Sequence, residues 1–243
     1  MIKFFRKIRQ KLLSENKFSK YLIYAIGEIL LVMIGILLAF QVNTWNESNK
    51  LHKDEISSLL SIKSDLLVSA KNLGFCNSAD SLIVKSYDII LEHIQNRMPY
   101  HDSLSVHFGE LLQWAKPVCR SSAYENLKSS KGLALISNEP LRQEIIKVHE
   151  ILYVFSLENE EKEEAMIHQE LMLPLFASLF MTNKDGGTVP IDYSSLFTDQ
   201  KFMNVISLTR HRRISSISSE SELKNYLYQL VSKIESELVT LNQ

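Results

Sequence analysis

The chain is short of turn formers. Of 243 residues, 7 are glycine and 5 are proline, well under half of the roughly 12% that average usage would supply. Many-stranded folds and glycine-rich nucleotide-binding folds need more, so a mostly helical protein is expected. Cysteine is scarcer still. Two residues, Cys76 and Cys119, exclude a disulfide-framework miniprotein and disfavour a cysteine-rich zinc domain. They form no Cys-x-x-Cys, which disfavours thiol redox catalysis. No Gly-x-Ser-x-Gly and no phosphate loop occurs, so the chain is not expected to be an enzyme. An excess of one charge is also missing: 27 basic residues face 28 acidic ones. That balance argues against nucleic-acid binding. His93, His101 and His107 lie close in sequence, but none has a cysteine or carboxylate at recognised metal spacing. Neither a metal nor a cofactor is expected.

What the chain does have is one long apolar run, YLIYAIGEILLVMIGILLAFQV, from Tyr21 to Val42. At 1.5 Å per residue it reaches about 33 Å, enough for a hydrocarbon core of about 30 Å. Glu28 is its only carboxylate. A transmembrane helix is expected over 21–42. A cleaved signal peptide is disfavoured, because Ala39-Phe40-Gln41 offers glutamine where a small residue is needed. Residues 1–20 carry Lys3, Arg6, Lys7, Arg9, Lys11, Lys17 and Lys20 against Glu15 alone, whereas residues 43–62 carry only Lys50 and Lys53 as basic groups. The positive-inside rule keeps the N-terminus in the cytoplasm and exports residues 43–243. Within the leader, Ile2, Phe5, Ile8, Leu12 and Leu13 follow helical spacing. This basic amphipathic segment either lies in the lipid interface or serves only as the flank of the anchor.

At 100° per residue, Tyr21, Tyr24, Glu28, Gly35 and Ala39 fall on one stripe of the membrane helix. Gly35-x-x-x-Ala39 is a small-xxx-small pattern that lets two helices approach closely. Partners are therefore membrane lipid and, through this stripe, a second copy or another membrane protein. A carboxylate in hydrocarbon needs a reason. Glu28 either accepts a hydrogen bond from Tyr24 one turn back, or pairs helices, or couples an ion.

Tyr24-Ala25-Ile26-Gly27-Glu28-Ile29, Ile34-Gly35-Ile36 and Gln41-Val42-Asn43-Thr44-Trp45-Asn46-Glu47 resemble the opening of a family of uncharacterised, single-pass bacterial membrane proteins. Tyr124-Glu125-Asn126-Leu127-Lys128-Ser129-Ser130 is similar to that family's middle section. The resemblance implies a bacterial inner-membrane location, with the N-terminus in the cytoplasm and the C-terminal domain in the periplasm. It implies no activity.

The expected fold is all-α: one N-terminal transmembrane helix continuing into an exported antiparallel bundle. No glycine or proline lies between Gly35 and Gly74, so the membrane helix can continue to Leu73. Asn43–Asn49, a run of poor helix formers, is the place for a kink. Further helices are expected over 79–97, 103–116, 121–131 and from Asn138 onward. Two more are expected over 199–215 and from a capping box at Ser219–Glu222. No sustained strand alternation is visible. Asn183–Gly187 is a loop signal. The charged run Glu158–Glu164 reads as a solvated face or as an acidic binding face. Arg210-His211-Arg212-Arg213 reads as a basic helix C-terminus or as an anion site. Cys76 and Cys119, placed at the same end of a helical hairpin, form either a disulfide or two buried thiols. The leading function is a non-enzymatic interaction or accessory subunit of a cell-envelope assembly. The alternative is a sensory module whose exported bundle binds a small ligand.

Overall fold

The computed structural model describes residues 18–242. Residues 1–17 of the basic leader fall outside them, and so do the side chains of Tyr21 and Tyr24. The fold is all-α apart from one small hairpin. The chain divides into a unit ending at Asp54 and a unit from Glu55 to Gln243.

Helix α1 runs from Phe18 to Gln95 and passes through both units. Asn43–Asn49 is helical throughout. Within the first unit the apolar side chains from Ile29 to Val42 are exposed. Among the described residues one helix is long and apolar enough to cross a membrane, and none of its most apolar window is buried.

The second unit is built on two long helices, α1 and the C-terminal helix Gln200–Leu241. On α1 the buried positions are Leu59, Ile62, Leu66, Leu73, Asp80, Ile83, Tyr87, Ile90 and Ile94. On the C-terminal helix they include Phe202, Ile206, Arg213, Glu220, Leu223, Leu227, Leu230 and Ile234. Steps of three and four residues keep one stripe facing the partner along each helix. The two run antiparallel. Lys63 meets Glu235 at 3.0 Å, Asn77 Nδ2 donates to Ser221 Oγ at 2.9 Å, and Arg210 Nε reaches Asp88 Oδ1 at 2.5 Å. Burial of the stripe stabilises each helix more than local propensity does.

Shorter elements cover this pair. In chain order they are α2 (Leu104–Glu110), α3 (Ser122–Ser130), a 3₁₀ turn (Leu133–Leu135) and α4 (Glu139–Lys147). Asn138 caps α4, its side chain accepting from the Leu141 N–H at 3.1 Å, which satisfies an otherwise orphaned donor. Helical structure then continues through π turns at Val148–Leu152 and Val154–Glu158 into α5 (Asn159–Ile167). A third π turn, His168–Met172, leads into α6 (Leu173–Leu179). Strands β1 (Phe180–Thr182) and β2 (Thr188–Pro190) pair antiparallel, with Met181 opposite Val189. The C-terminal helix is α7.

Between α2 and α3 the chain is irregular, and its backbone donors are taken up by a stripe of polar side chains on α1. Ala115 N donates to Asp80 Oδ1 (2.9 Å), Val118 N to Asn72 Oδ1 (2.6 Å), Arg120 N to Ser69 Oγ (2.8 Å) and Ala123 N to Asp65 Oδ2 (2.8 Å). Three donors of a strap with no ladder of its own, and one in the first turn of α3, are thereby satisfied.

Four sequence expectations need correction. The break near Gly74 and the new helix at Ala79 do not occur, because the buried stripe of α1 continues in phase across that point. Likewise α7 has no break at Ser219. Its hydroxyl bonds the Ser215 carbonyl at 3.2 Å as a mid-helix residue rather than a cap. The helix expected over 103–116 ends at Glu110, where the strap begins. The β1–β2 hairpin was not foreseen; it flanks the expected loop, where Asn183 Oδ1 accepts from the Asp185 and Gly187 N–H groups and Gly186 supplies a positive φ of 81°.

Candidate functional site

The apolar core of the second unit is split in two. One cluster holds Leu59 to Leu73 of α1 against Leu223 to Leu238 of α7, together with Tyr124, Ile145 and Val148. The other holds Ile83 to Ile94 against Phe202 to Ile206, together with Phe108 and Phe176. The layer between them is polar. Asn77 and Asp80 on α1 and Arg213, Ser216 and Glu220 on α7 are all buried. Glu164 on α5, also buried, closes the layer from the side.

Arg213 is 3% exposed, yet its contacts are loose. Its guanidinium reaches Glu164 Oε2 at 3.2 Å, Asp80 Oδ1 at 3.8 Å and the Gln113 carbonyl at 3.5 Å. One buried cation thus faces three buried carboxylates, and a buried charge without close compensation is costly. Glu220 is 3% exposed, and among the described residues no group hydrogen-bonds its Oε2. Glu164 Oε1 is likewise without a hydrogen-bond partner. Burial pushes the Glu220 carboxyl up to about 8, with Asp80 and Glu160 adding like charge and Arg213 only partly opposing it. Burial also pushes Glu160 up to about 7, against a hydrogen bond from Ser219 and the charge of Arg212. Asp80 is raised by burial too, despite the Ala115 N–H and Arg213.

A narrow cleft of about 30 Å³ opens from this layer to solvent. The strap lines it with Trp114, Lys116 and Pro117, and α7 lines it with Arg213, Ser216 and Glu220. Leu157, Glu160 and Glu164 close the remaining side. Leu157 sits in a π turn. Such turns re-aim side chains relative to a regular helix and recur at functional sites.

The acidic run and the basic cluster singled out in the sequence prove to be each other's neighbours. Glu163 pairs with Arg212, Glu164 with Arg213, and Glu161 with Lys116 of the strap. Arg210–Arg213 is therefore not a helix C-terminus. α7 continues to Leu241, and the cluster meets acids rather than a helix dipole. Nothing in the local sequence around Asp80 or Glu220 marks them. The available signal was polar residues standing in phase with an apolar stripe.

The other candidates lie elsewhere. Cys76 is buried inside α1, not ahead of a second helix, and Cys119 is half-buried in the strap; both are free thiols. Cys119 lies near enough to feel the charge of Cys76, and burial pushes the Cys119 thiol up to about 11. Of the three histidines, His107 pairs with Ser86 at 3.0 Å and His101 with Ser103 at 2.9 Å. Among the described residues no three His, Cys, Asp or Glu side chains are placed to hold a metal ion. In the first unit Glu28 is half-buried, while Gly35 and Ala39 are exposed. A β-carbon on Gly35 would meet nothing.

The stretch of α1 from Glu28 through the first half of the buried stripe has a counterpart among known families. Residues 28–75 match the model of a family of unknown function, DUF6090. The DUF6090 match spans the C-terminal part of the apolar run and ends before Asp80, so neither the acidic layer nor the Tyr124–Ser130 block lies within it. No curated protein and no solved structure matches the chain.

Proposed function

We propose that the chain is a membrane-anchored, non-enzymatic interaction subunit of a bacterial cell envelope. It would be held in the inner membrane with its N-terminus in the cytoplasm and its helical bundle exported. The observation that carries this reading is the apolar run of α1, whose most apolar window is not covered by any of the described residues. Exposing so much contiguous apolar surface to water would be prohibitive, and lipid removes that cost. The charge asymmetry around the run supports the orientation. Gly35 and Ala39 offer a notch for a second helix, either a copy of this chain or another membrane protein.

Crosslinking in intact membranes, followed by purification in mild detergent, tests the interaction. A partner or a homo-oligomer is expected, weakened by Gly35→Leu and by Glu28→Gln. A clean monomer, unchanged by either substitution, would contradict it.

A second reading is favoured by one specific feature, the cleft over the buried acidic layer. On that reading the exported bundle binds a small ligand and acts as a sensor.

A further inference from the structure

We propose that the cleft over Asp80, Glu164 and Glu220 binds a small organic cation through a primary ammonium group. This rests on the small-ligand reading and assigns the ligand's chemistry.

The charges set the sign. On α7, Arg213 and Glu220 line the cleft and Arg212 lines the groove beside it, while Asp80 on α1 lies close enough to add like charge to Glu220. From α5, Glu160, Glu161 and Glu164 line the cleft and Lys162 and Glu163 the groove, and the strap contributes Lys116. Arg212, Arg213 and Lys116 are each already engaged by an acid. Once Glu220 is ionised, at about pH 8 and above, the surplus is negative, and Glu164 and Glu220 hold it where solvent barely reaches. The Cys76 and Cys119 thiols stand near Glu220, and burial keeps both protonated.

The unfilled acceptors set the geometry. Glu220 Oε2 and Glu164 Oε1 are buried, belong to residues lining the cleft, and have no hydrogen-bond donor. An ammonium supplies three donors and one positive charge. A cavity of about 30 Å³ has room for a group of that size and little more, since a water needs roughly 10–15 Å³ by the same measure. The rest of the ligand must trail outward past Trp114 and Pro117, an apolar wall suited to methylene groups. It can continue into an adjoining groove that shares Glu160 and Ser216 and reaches Phe155. A compact divalent ion fits less well. It needs several oxygens converging at short range, and no such group exists among the described residues.

Ammonium and proton compete for Glu220. Affinity must therefore rise with pH until the carboxyl is ionised in the free protein, at about 8. Displacing one proton gives about tenfold per pH unit below that point. An alkylammonium near the lysine value of about 10.4 stays charged throughout.

The test is calorimetric titration of the full chain in neutral detergent and HEPES buffer, which carries no primary amine and keeps calcium in solution. The probes are cadaverine, 1,5-pentanediol, glutarate and calcium chloride. Cadaverine is expected to bind at pH 8.5, at least tenfold more weakly at pH 6.5, and not measurably to Glu220→Gln. Glu235→Gln, a surface acid on the same helix, should bind as the parent does. Thermal melting of each variant without ligand reports whether it is folded. If cadaverine binds Glu220→Gln unchanged, or binds equally at both pH values, the assignment is wrong. Pentanediol, glutarate or calcium binding in its place would overturn the ammonium assignment while sparing the small-ligand reading. Heat from none of the four would count against both.

Discussion

Glu220→Gln also carries a prediction that needs no ligand. The ordinary glutamate value is 4.5, and in the folded protein Glu220 is pushed up to about 8. Between those values the unfolded chain has released its proton while the folded protein keeps it. The unfolded state therefore binds fewer protons, and stability falls as pH rises through this window, by about 1.4 kcal/mol per pH unit. The whole interval would amount to about 5 kcal/mol. Solvent in the cleft screens the carboxylate, so a loss nearer 2 kcal/mol is expected. For a domain of this size about 1 kcal/mol corresponds to roughly 2–4 °C. Glutamine is isosteric, neutral at every pH and able to donate to Asp80 or Glu160. In amine-free phosphate buffer the parent's Tm should fall between pH 5 and pH 8.5 by about 4–8 °C more than that of Glu220→Gln. Titrating groups away from this layer are common to both proteins and cancel, whereas Asp80 and Glu160, which feel the Glu220 charge, belong to the same acidic cluster whose loss the comparison reads. Parallel curves would refute the claim that an unpaired carboxyl is buried between the two halves of the core.

Four further outcomes follow from the packing. Leu66→Ala, at a position with no solvent exposure in the apolar half-core shared with α7, should cost about 3 kcal/mol in thermal or denaturant unfolding. Ser69→Ala strands the part-buried Arg120 N–H and should cost about 2 kcal/mol. Asn72→Ala frees the exposed Val118 N–H to meet water and should cost about 1 kcal/mol; the reverse order would contradict the docking described for the strap. His149 is stacked on Tyr124 at 4.4 Å and bonded to Ser121 Oγ at 3.0 Å, and burial holds it down to about 4. The unfolded chain then takes up the proton first, so stability is lost as pH falls from 6.5 towards 4, and His149→Gln should flatten that acid limb of a melting profile. Chain purified without reductant and then unfolded should take up two alkyl groups at Cys76 and Cys119, and uptake only after reduction would contradict the free thiols.

Much of the second unit was legible because its two longest helices obey one rule. Leu59, Leu66 and Leu73 on α1 and Leu223, Leu227 and Leu230 on α7 announce buried stripes by spacing alone. The breaks expected at Gly74 and Ser219 rested on local signals. Packing over the whole stripe outweighs one glycine's cost of about 1 kcal/mol, and a serine can as easily bond the carbonyl one turn back as cap a helix. The strap was illegible for a different reason. Its acceptors are Asp65, Ser69, Asn72 and Asp80, some 35 to 58 residues earlier in the chain, and no local pattern reports them. The acidic layer fell between the two cases. Asp80, Arg213 and Glu220 hold positions where the spacing demands apolar residues, and such misfits at core positions mark places where a sequence gives up stability for something else.

The anchor itself is tested most directly by topology. Protease added to intact spheroplasts should digest the bundle from Glu55 onward, leaving a membrane-embedded fragment that carries the basic leader and resists alkaline carbonate extraction. Full-length chain that survives the protease until the membrane is lysed, or that washes off in carbonate, would contradict the account.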